Sequence, residues 1–197
     1  MSYLVVMDRK RAILNAAAEL FREKGFHGVG MDELGARAGI TGPAVYRHFS
    51  CKDEILAILF EEAIAELLAV VAAELEDSPV ELSRLVRHHV DFTLGHRDLL
   101  SVYQREDRVL VDPWKSEFYE KRRAYVSAWE EAVRTCYPEA PDGSVAMAVQ
   151  GSLGLIFSIV NWPRPIRTSH QIGHVVTAMV LEGLASLGPD ASASFRV

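Results

Sequence analysis

Cysteine is scarce in this chain: Cys51 and Cys136 are the only two among 197 residues. Two thiols so far apart build no disulfide framework, so free thiols are expected, with redox sensing the minor alternative. Long apolar runs are lacking too. Arg37, Arg47 or acidic residues interrupt each candidate, so no membrane span is expected. The first ten residues place apolar side chains before Arg9 and Lys10, the reverse of a secretory signal. The reading is therefore a cytoplasmic protein. No run alternates with period two for long enough to make a strand, and no repeat or low-complexity tract occurs. Catalytic signatures are missing as well: there is no GxSxG, no P-loop, no dinucleotide-binding glycine pattern and no zinc-finger spacing. No enzyme, no cofactor and no catalytic residue is expected.

What the chain has is helix-forming apolar sequence. Hydrophobic residues make up 49% of it, enough to bury a sizeable core. The net charge is −6, but it is unevenly spread. Residues 1–52 hold eight Lys/Arg against five Asp/Glu, a net +3, which leaves −9 for residues 53–197. A small basic segment followed by a larger acidic one suggests that the first meets nucleic acid.

The basic segment contains a helix, a tight turn and a second helix within residues 31–49. Asp32 and Glu33 favour the positive start of the first helix. Met31, Leu34 and Ala38 share a face at helical spacing. Gly39 can take the left-handed conformation that ends a helix. Thr41 is then an N-cap and Pro43 a tolerated first-turn residue. Ala44, Val45 and Phe49 form the buried side of the second helix, which leaves Gly42, Tyr46, Arg47 and His48 to face outward. Two such short helices need a third to pack on. Residues 8–25 supply it, with Ile13, Ala16, Ala17, Leu20 and Phe21 as an apolar stripe closed by Gly25. This is the form of a helix-turn-helix, whose second helix can enter a DNA major groove. Arg9 and Lys10 crowd the start of the first helix, where a phosphate would relieve their charge; a solvated basic end is the equal alternative.

From Arg9 to about Glu61 the chain resembles the N-terminal domain of the TetR (tetracycline repressor) family of bacterial transcription regulators. The matching features are Ile13-Leu14, Ala16-Ala17, Leu20-Phe21, Gly25-Phe26, Met31-Asp32-Glu33-Leu34, Ala38-Gly39-Ile40, Tyr46-Arg47-His48-Phe49 and Lys52-Asp53-Glu54. Gly30 departs from the pattern, since the family usually has a capping Ser or Thr there. The backbone N–H groups that follow it could still bind a phosphate. The resemblance implies that Tyr46 contacts phosphate or a thymine methyl and that His48 and Lys52 contact phosphate. Thr41, Gly42, Pro43 and Arg47 join them as candidates near bases or adjacent backbone, and Arg37 completes the DNA-binding set.

Beyond residue 52 the pattern is helical throughout. A long fourth helix runs to about residue 76, where Asp77-Ser78-Pro79 ends it. Further helices are expected around Leu82–Phe92, Leu99–Tyr103, Phe118–Val133, 142–160 and 169–187, with a rigid Pro-rich loop at residues 161–165 and a frayed tail after Gly188. His170 and His174 stand at a spacing that can bind zinc, but no Glu follows His170, and polar surface is the better reading; no metal is expected. The charged run 103–108 is read as a solvated helix end with internal ion pairs rather than an acid/base pair. Together with residues 121–123 and Trp129, that run resembles, weakly, regulatory domains of TetR-type proteins tied to acyl-CoA and lipid metabolism.

The expectation is an all-α chain. Residues 8–52 form a three-helix DNA-binding domain, and residues 53–188 form a larger helical domain for ligand binding and dimerisation. The resemblance implies a homodimer on a palindromic operator in double-stranded DNA. A small-molecule effector, hydrophobic or of acyl-CoA type, would release it. His89, Phe92, Tyr103, Tyr125 and Trp129 are the candidate pocket residues. The alternative is an all-helical enzyme or ligand-binding protein using its N-terminal helices as an interaction module.

Overall fold

Glycine and proline set the helix boundaries in the computed structural model, which describes residues 2–72 and 79–189. Ten α-helices and no strand occur among the described residues. They are α1 (Ser2–Lys24), α2 (Met31–Arg37), α3 (Gly42–Val45), α4 (Lys52–Ala72), α5 (Pro79–Gly95), α6 (Arg97–Glu106), α7 (Trp114–Cys136), α8 (Asp142–Ser158), α9 (Arg164–Arg167) and α10 (Ile172–Ala185). Short 3-10 turns follow α6 and α8. The chain groups into two compact units, Met1–Ile64 with Asp98–Glu120, and Ala65–Arg97 with Lys121–Val197.

In the first unit α1 presents its apolar stripe to α2. Ile13, Ala17, Leu20 and Phe21 are fully buried, together with Leu34 of α2, Val45 of α3 and Ile55 and Leu56 of α4. Phe60, Tyr103 and Phe118 meet edge-on or tilted, with ring centroids 5.4–5.7 Å apart. Burial of this order supplies the stability that four- and seven-residue helices cannot generate alone.

The second unit is built on α5, α8 and α10, which pack on one another. Each contributes a helical stripe to one core. These are Leu82, Leu85, Val86 and Val90 from α5, Val145, Val149 and Ile156 from α8, and Val176, Val180 and Leu184 from α10. Trp129 and Val133 of α7 are buried in the same unit.

Several expectations need correction. The first helix, expected over residues 8–25, begins earlier, with residues 2–7 forming its first turns. The α3 helix is only four residues long, and residues 46–48 continue it as turns, with His48 N–H donating to Val45 O (2.9 Å). The Pro-rich loop at 161–165 opens a helical turn, α9, because Pro165 sits at the start where a missing N–H costs nothing. Asp142–Asn161 is, by length and composition, apolar enough to cross a membrane, contrary to the reading that no run is. Its inward residues instead line the core just described. His170 lies in the turn before α10, so it and His174 do not share a helix face. The expected end of the fourth helix, residues 73–78, and the tail from 190 lie outside the described residues.

Candidate nucleic-acid interface

The turn between α2 and α3 is fixed by backbone chemistry. Gly39 adopts φ +72°, which L side chains rarely do. Its N–H donates to Ala36 O (3.3 Å) and the Ile40 N–H to Gly35 O (2.9 Å), the pairing of a Schellman cap. Thr41 then turns extended, and its carbonyl accepts the Ala44 and Val45 amides at 2.9 and 3.2 Å.

Two glycines let α2 and α3 touch. A Cβ on Gly35 would stand 2.8 Å from the Gly42 nitrogen and from the Thr41 carbonyl carbon. One on Gly42 would stand 1.7 Å from Asp32 Oδ1 and 2.9 Å from Asp32 Cα. Gly42 is therefore buried against the start of α2 rather than facing outward as its place in the motif suggested. The side chains that do face out are Thr41, Pro43, Tyr46 and Arg47, with Tyr46 58% exposed and His48 half-buried. The Thr41 hydroxyl makes no capping bond.

Basic residues around this helix pair divide into free and engaged. Arg9 and Lys10 are exposed, and the Lys10 ammonium lies 5.7 Å from the Phe49 ring centroid. Arg37, by contrast, donates to Glu19 (3.0 Å) and Glu23 (3.1 Å). Those bonds raise the Arg37 pKa and lower that of Glu23, tying α2 to α1. The Lys52 ammonium donates to the carbonyls of Phe26 and Val29 (2.7 and 2.8 Å) and sits 4.3 Å from the Phe26 ring centroid. It fastens the start of α4 to the segment between α1 and α2. The expected phosphate contacts at Arg37 and Lys52 thus meet cations that already have protein partners. Gly30 caps α2 with nothing within 4 Å of a would-be Cβ, leaving the first amides of α2 open.

The charged run 103–108 spends two of its side chains on backbone groups earlier in the chain. Glu106 accepts the Phe26 N–H (3.1 Å), and Arg105 donates to the Arg22 carbonyl (3.1 Å). Both side chains hold the C-terminal end of α1, together with the Arg22–Asp98 ion pair (3.3 Å).

In the second unit, four of the five pocket candidates are brought together. His89 is fully buried, and its Nδ1 is 2.7 Å from the Tyr125 hydroxyl. The imidazole stacks on Tyr125 and meets Trp129 and Phe157 edge-on, with Phe92 6.4 Å away. Burial, and then the neighbouring His88, hold the His89 pKa down at about 3, and burial raises that of Tyr125. The fifth candidate, Tyr103, is instead in the first unit, packed on Phe60 and Phe118. A groove of about 220 Å³ runs beside α7, lined by Arg122, Arg123, Val126, Ser127 and Gln150.

Two family models match this chain: bacterial regulatory proteins of the tetR family over residues 13–59, and the tetracyclin repressor-like C-terminal domain over residues 76–184. The chain belongs to the tetR family. The regulator is 27% identical to the HTH-type transcriptional repressor KstR2 of Rhodococcus jostii over 90% of its own length and 92% of that protein's. It is 35% identical to the HTH-type transcriptional activator FasR of Mycolicibacterium smegmatis, but spans only 36% of that protein. Among solved structures, AibR in complex with isovaleryl coenzyme A and operator DNA shares the fold, with a TM-score of 0.73 and 21% identity, covering 88% of this chain and 96% of that one.

Sequence reasoning missed Gly35, the contact of Asp32 with Gly42, the partner of Glu106, and Thr93, which is fully buried on α5. Gly35 carried a signal, since a glycine seven residues before Gly42 invites a helix crossing. Glu106 carried none, because its partner lies 80 residues earlier.

Proposed function

We propose that the regulator is a homodimeric, ligand-responsive transcription factor, acting as a repressor in the cytoplasm and not as an enzyme. Residues 8–52 bind a palindromic operator and residues 53–188 bind the effector and the second subunit. The outward row Thr41, Pro43, Tyr46 and Arg47, beside half-buried His48, carries the reading. It stands on a helix pair whose glycine contacts leave α3 no freedom to slide. Tyr46, Arg47 and Thr41 reach base edges or adjacent phosphates, while Arg9, Lys10, His48 and the amides after Gly30 hold the backbone. Gly42, Arg37 and Lys52 shape this surface from within. A fluorescence-anisotropy titration on a duplex selected from a random pool tests it. Affinity should fall with salt at a log–log slope of about −0.9 per neutralised phosphate. No selection of any duplex would end the proposal.

The effector reading rests on His89, Phe92, Tyr125 and Trp129. Arg122 and Arg123 in the nearby groove suit the phosphates of an acyl-CoA, the class that AibR holds. Release of the duplex by decanoyl-CoA but not by coenzyme A alone is the expected result.

The second subunit would meet an exposed stripe of small and apolar residues. Met147, Gly151 and Gly154 form it on α8, and Val175 and Met179 on α10. Helical spacing places each set on one face. α4 runs unbroken from Lys52 into the second unit and would pass effector binding to the DNA-binding residues.

A further inference from the structure

Three hydrogen-bonding groups in the aromatic cluster are fully buried and find no protein partner: His89 Nε2, Thr93 Oγ1 and Trp129 Nε1. Buried polar atoms in native proteins are nearly always satisfied, so three in one cluster mark a place where something else bonds. Thr93 stands one helical turn from His89 on α5, on the same face, and the Trp129 ring centroid is 5.7 Å from the imidazole's.

Hydrogen-bonding chemistry narrows what that partner can be. Tyr125 Oη and His89 Nδ1 share one hydrogen bond of 2.7 Å, and the imidazole Nε2 donates or accepts according to the tautomer that bond selects. The indole N–H of Trp129 can only donate, and the Thr93 hydroxyl has a hydrogen to give. Two donors without acceptors therefore stand in the cluster. The rings around them, Phe92, Tyr125 and Phe157, carry no charge to balance an anion or a cation.

We propose that this cluster receives the polar end of the effector, and that this end is an uncharged acceptor: a ketone, ester or thioester carbonyl. The proposal rests on the ligand-responsive reading and sharpens it, because a free carboxylate would enter a site with donors but no countercharge.

The test uses the full-length protein labelled with ¹⁵N and matched probes: 2-alkanones from 2-hexanone to 2-dodecanone, and carboxylates of the same lengths. Trp129→Phe identifies the Trp129 indole resonance among the three tryptophans. A 2-alkanone is expected to bind, to shift that resonance downfield, and to outcompete its carboxylate at least tenfold. Thr93→Val should weaken ketone binding about tenfold, as loss of one buried hydrogen bond does. A carboxylate that binds as tightly as the ketone, or an indole resonance that no ketone moves, overturns the proposal. If Thr93→Val does not fold, the wild-type resonance decides alone. A protein that selects a duplex yet fails these ketone tests loses this inference only. One that selects no duplex loses the regulator reading as well.

Discussion

A methyl group on residue 42 would have to share space with the Asp32 carboxylate and approach its Cα to 2.9 Å. The carboxylate can rotate away, but the backbone cannot. Gly42→Ala should therefore destabilise the first unit by about 1–3 kcal/mol, as overpacking does, and weaken DNA binding with it. Gly30→Ser meets nothing and gains a capping hydroxyl, so it should be neutral or stabilising by a few tenths of a kcal/mol. Thermal melts of the two variants separate these outcomes. His89 makes a further residue-level prediction. Its folded pKa of about 3 lies below the ordinary value of 6.5, so the unfolded chain takes up a proton that the folded one refuses. Above about pH 6.5 the residue contributes no pH dependence. As pH falls from there toward 3, it should cost up to about 1.4 kcal/mol per pH unit. Urea denaturation at several pH values should show that slope in wild type and lose it in His89→Gln. His89 was legible in the sequence because it interrupts an apolar stripe. The inward turn of Gly42 was not, because a helix of four residues is too short for periodicity to fix its phase.

Elements in the first unit are tied by a few long-range polar contacts. Lys52 supplies two hydrogen bonds and a ring contact to residues 26–29. Lys52→Met keeps the aliphatic stem and removes the charge. It should cost about 1–3 kcal/mol and loosen the segment between α1 and α2, which hydrogen exchange of the Val29 and Leu34 amides would report. Unchanged protection would show that the lysine is replaceable. The helices themselves were readable from apolar spacing, and Gly39 marked the turn correctly. What the sequence hid were ends decided by tertiary contact. α6 extends to Glu106, where Arg105 finds a partner on α1 and Glu106 one at Phe26, just beyond it. Pairings such as Arg11 with Glu62 (2.7 Å) join residues too far apart for local pattern to reveal.

At the scale of the whole molecule, one chain offers a single short recognition helix, and a palindromic site needs two. Charging the exposed stripe with Met147→Glu and Met179→Glu, both on exposed side chains, should leave the fold intact and yield monomers in sedimentation. Operator affinity should fall with dimerisation. Dimers that persist would place the subunit contact elsewhere. The family and its helical plan were legible from the first fifty residues, and the interior of the second unit was legible only as periodicity. Neither Tyr103's place among Phe60 and Phe118 nor the unpartnered donors near His89 could be foreseen, because both depend on which helices meet. The account stands or falls on the outward face of α3 and the turn after it. Anisotropy of a selected duplex with the Tyr46→Ala/His48→Ala variant, shown folded by circular dichroism, measures it directly. The account predicts affinity weaker by about a hundredfold, as loss of two specific contacts implies; affinity within twofold of wild type would contradict it.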